Sequence, residues 1–446
     1  MFSETPSFTL PARQMKPQGL TYSAVFRSYD FLRKNRVQSP ANPNRQAENN
    51  GAALHAGYAF ADTPFSLGAT YFGSYAFGLN GSNPQYNPHV DNSLPGFSES
   101  TMLEAYAKYA TAGVLATLGN QIGYKPWLPA SDSRLKPAAY QGLDANIKIA
   151  PGLSLGFSRF VRWEGRDQSI FDQSTLLTSH PAGNPPYPIH DTPGSSLVDL
   201  NYNPNALLSA SVENYTFYDL ANMIYAYGTY YPMPDARYDP FVMMEYVRER
   251  QIGAAYVGTI DNNTIGFKVG GTLAKNVTAY VAMDSSPAVY SDVQAMSASA
   301  AASGFLLPAG AAANVLGLGG GKYRVAYGGI ASPYTFNLAS DPLFTSSISQ
   351  GMADRISAGT AVKISVTILN ESKQIRGIFS QAYYDYGNAF ASYKVAETDM
   401  DMTYYFRKPG IAPYRGVFVR ERVADRTQPL PPYDFKYIRS QIEYDL

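Results

Sequence analysis

The chain has 446 residues with 35 basic side chains against 35 acidic ones, no cysteine, and only 16 % charged residues, while 36 tyrosines outnumber 23 phenylalanines. Balanced charge disfavours nucleic acid, which calls for a basic excess, and the lack of cysteine excludes disulfides, thiolate metal sites and thiol catalysis. The charged fraction falls well under the roughly 25 % of a soluble chain, which argues against the two or three soluble domains that length alone would suggest. Tyrosine joins an apolar ring to a polar tip and favours boundaries between apolar and wet surroundings; a barrel in a bilayer has two such boundaries, each lined by aromatic residues.

In chain order, Met1 is followed by Phe2-Ser3-Glu4-Thr5-Pro6, with neither a basic n-region nor an apolar h-region. Residues 1–18 therefore read as an N-terminal segment of a chain whose signal peptide has been removed. A first strand follows, with Leu20, Tyr22, Ala24 and Phe26 on one face and Arg27 on the other. A long connection is expected over 30–50, a short turn at Asp62-Thr63-Pro64, and a second long connection over 77–98. Leu118-Gly119-Asn120-Gln121 ends a strand and opens a proline-studded segment, Pro126-Trp127 and then Pro129-Ala130-Ser131-Asp132-Ser133-Arg134-Leu135 with Pro137. After the turn Ala150-Pro151-Gly152, Leu153, Leu155 and Phe157 alternate with Ser154 and Gly156.

A long connection spans 164–195 and a short turn falls at Asn203-Pro204-Asn205, while 206–262 shows no pattern that bounds its strands. Ile265, Phe267, Val269 and Leu273 then alternate with Gly266, Lys268, Gly270 and Thr272, turn at Ala274-Lys275-Asn276, and resume with Val277, Ala279 and Val281. The longest connection covers 286–350. Its uncharged stretch, residues 296–321, could cross a bilayer by length, but it is mostly Ala, Ser and Gly with Pro308 inside it, and reads as a low-complexity loop. Beyond it, Ile356, Ala358, Val362 and Ile364 oppose Arg355, Ser357 and Lys363, and Thr398, Met400, Met402 and Tyr404 oppose Glu397, Asp399, Asp401 and Thr403. In the last segment Ile438, Ser440, Ile442, Tyr444 and Leu446 share one face and Arg439, Gln441, Glu443 and Asp445 the other.

A soluble sheet rarely gives four consecutive polar residues to a face it buries, whereas a wall between lipid and a wet lumen accommodates both faces. Short and long connections alternate, as they do in outer-membrane barrels, and pairing strands across them gives about eighteen. The expected fold is all-β: a closed antiparallel transmembrane barrel with long extracellular loops, one domain over 1–446, with no fixed-period repeat. The sequence shows no convincing helical span.

The motif 118–137 resembles the OprD family of outer-membrane porins, in which this pattern ends a strand and enters a third extracellular loop that folds into the lumen and narrows the pore. Here that loop spans 120–140. Phe26-Arg27-Ser28-Tyr29 is similar to the family's first strand, and Glu397 to Asp401 with 416–422 to its last hairpin. The resemblance implies a passive channel for small water-soluble solutes, carboxylate-bearing ones such as amino acids among them. It also implies a monomer in the bacterial outer membrane, in contact with lipid and lipopolysaccharide, with no cofactor and no enzymatic activity. Two features depart from the family: the chain ends in Leu446 where the family usually ends in Phe, and the Ala/Gly-rich stretch 296–321 has no counterpart.

Strand parity places Arg420 and Arg422 inward between outward Val417 and Val419, with Arg439 and Arg27 inward on the last and first strands. Closure of the barrel makes those strands neighbours, so the four guanidiniums would form a basic ladder such as the resembled family uses. Arginine suits it, because its planar fork binds carboxylates and stays charged. Glu397, Asp399 and Asp401 face inward nearby and would either hold the amino end of a zwitterion or neutralise the ladder. Asp132, Ser133 and Arg134 would line the constriction.

No catalytic residue and no metal site is expected. His55, His89, His180 and His190 lack metal-ligand spacing, and no Gly-x-Ser-x-Gly elbow or phosphate loop occurs. The alternatives are a membrane-embedded barrel hydrolase with His and Ser on neighbouring strands, and a soluble or surface β-sandwich of structural role.

Overall fold

The computed structural model describes residues 19–446 except 41, 79, 81–88, 92–93, 95–97, 132–133, 179–189, 234–237, 308–313, 337, 356, 388–391, 407–415 and 430–433. Alternation of outward apolar and inward polar residues drives a run of strands: β1 (Gly19–Asn35), β2 (Arg45–Ala59), β3 (Phe65–Tyr75), β4 (Glu99–Ala110) and β5 (Val114–Ile122). The two-residue strands β6 (Tyr124–Lys125) and β7 (Leu128–Pro129) lie in the next connection. The wall resumes with β8 (Ala139–Ala150), β9 (Leu153–Glu164), β10 (Ser195–Tyr202), β11 (Leu208–Phe217) and β12 (Ala221–Tyr230). It continues through β13 (Phe241–Gln251), β14 (Asp261–Ala274) and β15 (Val277–Ser286).

The long connection after β15 carries β16 (Val289–Gln294), α1 (Ala298–Ala302), β17 (Val315–Gly319) and β18 (Lys322–Tyr327), the three strands forming a small sheet of their own. Then come β19 (Gly359–Leu369), β20 (Ile375–Gly387), β21 (Ser392–Tyr405), β22 (Gly416–Thr427) and β23 (Phe435–Asp445). Eighteen strands form one sheet, each antiparallel to the next, and it closes where β1 pairs with β23 from Val25↔Asp445 to Asn35↔Phe435. Closure leaves no exposed edge, so every backbone group of the wall can be satisfied within lipid. No helix among the described residues is long and apolar enough to cross a membrane.

The short turns and the chain's C-terminus lie at one rim, which in bacterial barrels faces the periplasm. There the rings of Tyr58 and Phe60, Phe65 and Tyr109, and Tyr404 and Phe406 pack edge to face at 5.1, 5.2 and 5.0 Å. Tyr75 and Phe77 do the same at the other rim, 4.7 Å apart. These pairs are the two aromatic boundaries that the tyrosine content suggests.

The connection expected over 30–50 is shorter: β1 runs to Asn35 and β2 starts at Arg45, paired Arg33↔Arg45. Polar residues at the top of these strands read as a loop, yet the strands continue above the apolar band. Ile356 and residues 1–18 lie outside the described residues.

Parity holds along the wall except at its bulges, on β4 and at the β8–β9 and β14–β15 pairings. Phe267, Val269, Ile442 and Val419 are exposed outward, and Arg420, Arg439 and Glu397 are buried inward. The clearest contrast is between neighbours on β14, where Phe267 is 42 % exposed and Lys268 packs its ammonium over the Tyr280 ring at 3.9 Å. With no native cysteine to interfere, a water-soluble thiol reagent should modify a Lys268→Cys variant and spare Phe267→Cys in membranes. The reverse pattern would invert the wall.

Candidate functional site: a lumen filled by two loops

The wall prepares the departure of loop 123–138. Gly119 on β5 has φ +129° and faces Gly142 on β8, and a Cβ on Gly119 would sit 2.2 Å from the Ala105 carbonyl oxygen. Only glycine tolerates both that backbone and that approach. On β4 a bulge puts Leu103 and Glu104 both inward. Glu104 accepts from the Ile122 N–H at 3.4 Å and from the Thr70 hydroxyl at 2.7 Å, capping the last residue of β5 as the chain leaves the wall.

Inside the lumen the loop reaches across. Lys125 donates to Asp199 on β10 at 2.9 Å. Trp127 and Leu128 are fully buried; Trp127 meets Tyr225 on β12 edge-on at 5.8 Å, and its backbone N–H lies 3.4 Å from the Tyr215 hydroxyl on β11. The return limb lies against the opposite wall. Leu135 is buried on Gly51 of β2, where a Cβ would come within 3.0 Å of the leucine Cγ; such a leucine contributes about 1.5–3 kcal/mol. Asp132 and Ser133 lie outside the described residues; Arg134 is described and buried.

The four arginines fall on the three adjacent strands β22, β23 and β1. Arg27 Nε donates to Glu443 at 2.6 Å, and its Nη1 donates to the carbonyl of Arg134 at 2.8 Å, tying wall to loop. Arg420 grips Asp401 with both sides of its fork, Nε to Oδ1 at 2.8 Å. Arg422 donates to the Tyr29 hydroxyl at 2.9 Å and Arg439 to the Ile348 carbonyl at 3.2 Å, neutral acceptors in both cases. Arg134 and Arg439 each hold a guanidinium 4.9 Å from the centroid of one ring, buried Phe31. Burial, with the Arg166 guanidinium nearby, pushes Arg134 down to about 9, so it remains charged at neutral pH.

Glu397 and Asp399 do not meet these arginines. They serve a second inward segment, residues 343–350 of the connection after β15, which lies along the wall from β13 to β23. The wall's carboxylates accept its N–H groups: Glu245 from Phe344 at 2.8 Å, Asp284 from Thr345 at 2.8 Å, Asp399 from Ile348 at 3.3 Å and Glu397 from Ser349 at 2.7 Å. Basic side chains take its carbonyls: Lys363 donates to Ser346 at 2.5 Å and Arg426 to Ser349 at 3.3 Å, beside the Arg439 bond already described. A typical hydrogen bond contributes about 0.5–1.5 kcal/mol net and more when a partner is charged, so bonds in this number hold a strap without regular structure. Lys363 stands on the polar face that the sequence indicates, Arg426 and Asp284 follow by continuing the parity of β22 and β15, and Glu245 lies in the stretch whose strands the sequence does not bound.

Among the described residues no group of His, Asp or Glu could hold a metal ion. His55 lies inward with Nδ1 2.9 Å from the Thr70 hydroxyl, but that hydroxyl gives its proton to Glu104 rather than to the imidazole. A histidine-activated nucleophile is therefore not assembled there. His180 lies outside the described residues.

The sequence pattern of the outer membrane porin OprD family matches residues 18–283, more than half of the chain. The chain belongs to the OprD family. Solved structures share the fold over almost the whole length at low identity. OccAB3 of Acinetobacter baumannii superposes with a TM-score of 0.70 at 12 % identity, covering 96 % of this chain and 99 % of that one. A BenF-like porin from Pseudomonas fluorescens Pf-5 gives 0.73 at 12 %, covering 96 % and 98 %. OpdK of Pseudomonas aeruginosa, solved with vanillate, gives 0.69 at 15 %, again 96 % and 98 %. No curated protein sequence matches the chain. This OprD-family porin is an integral outer-membrane barrel and a passive channel for small solutes.

Proposed function

We propose that this porin favours solutes carrying a carboxylate, amino acids among them, and that they pass along the arginine-bearing arc of β22, β23 and β1, narrowed by loop 123–138. The observation that supports this most is the pair of guanidiniums, Arg134 from the loop and Arg439 from the wall, gathered on Phe31. Charges withdrawn from water are costly unless paired, and the named acceptor of Arg439 is a neutral carbonyl. An anion entering beside Arg439 relieves that cost, while Arg27 and Arg420 are matched to Glu443 and Asp401 and hold the arc in shape.

The attraction at 4 Å rises from about 1 kcal/mol in bulk water to about 4 kcal/mol at the dielectric of a protein surface, and the cost of dehydrating the solute offsets most of it, as a channel site must also release. Asp132 and Ser133 enter the proposal by their place in the loop motif, and Glu397 and Asp399 act through the strap rather than on solute. OpdK's vanillate is a carboxylate, in keeping with this reading. In this reading the porin works as a monomer, as the family resemblance implies, with lipid and lipopolysaccharide around it.

Replacing Arg422 and Arg439 together by Gln should move the reversal potential in a salt gradient toward cation preference. Carboxylate uptake into liposomes should fall by roughly an order of magnitude, the equivalent of about 1.4 kcal/mol, with neutral solutes of similar size little affected. An unchanged reversal potential and equal effects on both solutes would assign these arginines to structure alone.

A further inference from the structure

Lys136 lies inside the loop motif, yet neither the arginine arc nor the strap uses it. Its ammonium donates to Glu164 Oε1 at 2.7 Å and to the Gly165 carbonyl at 2.6 Å, and the side chains of both Lys136 and Glu164 are 0 % exposed. The other carboxylate oxygen of Glu164 accepts from the Thr101 hydroxyl on β4 at 2.7 Å. The pair therefore joins the inward loop to the tops of two wall strands, β9 and β4.

The next residue along extends the connection. Arg166 donates to the Leu338 carbonyl at 3.2 Å, and Ser131 of the loop meets Ser340 at 3.1 Å, both on the approach to the strap. Residues 164–166 thus stand between the two inward segments, gripping one through Lys136 and the other through Leu338.

We propose that the buried Lys136–Glu164 pair is the latch that holds loop 123–138 at a fixed position in the lumen, so that these two residues set the steadiness of the pore rather than its charge preference. The inference rests on the reading that this loop narrows the pore. Both residues are positioning residues, since neither needs to touch solute. Removing one partner strands a buried charge, which is more disruptive than removing both, and the loop can relieve it only by moving toward water.

The test is single-channel recording in planar bilayers on Lys136→Met, Glu164→Gln, Lys136→Arg and the double variant Lys136→Met/Glu164→Met, with heat-modifiable gel mobility reporting the folded barrel. The two single variants should replace a steady current by transitions among sub-levels, at least about tenfold more frequent than in the parent, with the reversal potential unchanged. Lys136→Arg should restore steadiness, and the double variant should fall between parent and single variants. Steady, parent-like currents from folded single variants would overturn the latch. Should those variants not fold, the double variant, which strands no charge, decides: added transitions support the latch and a parent-like trace overturns it. If loop replacement changes conductance while the latch variants do not alter its steadiness, the constriction stands and the latch alone fails.

Discussion

Replacing residues 129–137 by a Gly/Ser linker of equal length should raise single-channel conductance by roughly two- to threefold, because a barrel of this strand number encloses an aqueous channel unless something fills it. Two segments fill it here, and the replacement removes the return limb of one. Leu135 would leave its seat on Gly51, Arg134 would leave Phe31, and the tie from Arg27 to the Arg134 carbonyl would vanish. The wall should survive, since its strands pair with each other and not with the loop, from β5–β8 at Gly119↔Gly142 to the closing β1–β23 ladder. The strap 343–350 keeps its carboxylate and arginine partners on β13 to β23, so the pore widens without becoming an open tube. An unchanged conductance from a folded barrel would place the loop outside the conduction path.

The same geometry explains which parts of the fold were legible in the sequence. Strands such as β14 and β23 announce themselves because lipid takes one face and polar groups the other: Phe267 beside Lys268, Ile442 beside Gln441 and Glu443. Over 206–262 that contrast disappears. Tyr215, Met223 and Tyr225 point inward, where the loop's Trp127 and its aromatic neighbours need an apolar surface, so both faces of β12 read as apolar. On β11 Glu213 shares the inner face with Tyr215, and Asn214 and Thr216 sit on the other. On β4 the bulge at Leu103 and Glu104 breaks the period of two outright. The top of β1 is hidden for the opposite reason, since Arg33, Lys34 and Asn35 look like a loop although they remain in the ladder.

Of the candidate site, arginine placement follows from parity and closure, and the inward loop from a motif. The strap could not be read. Its recognition uses mainly backbone N–H and C=O groups of residues 343–350, which any sequence carries. The hydroxyls of Thr345 and Ser349 add bonds to Asp284 and Glu397 that Ser and Thr in a loop do not announce. For the same reason Glu397 and Asp399 look like solute ligands in the sequence, while the structure gives them to Ser349 and Ile348. Asp401, two residues beyond Asp399 along β21, meets Arg420 instead.

Selective conduction is the property on which solute passage depends, and recording from the unaltered protein measures it directly. Arg27 and Arg420 are paired with Glu443 and Asp401, and Arg134 and Arg439 gather on Phe31, so under the proposed reading the arc attracts anions. Purified protein whose gel mobility shifts only on boiling should add current to a planar bilayer in discrete, ohmic steps. In a potassium chloride gradient its reversal potential should lie on the chloride side of zero, and a small carboxylate should block chloride current more than a neutral solute of equal size does. Folded protein that adds no steps, or steps whose reversal potential lies on the potassium side, would contradict the account.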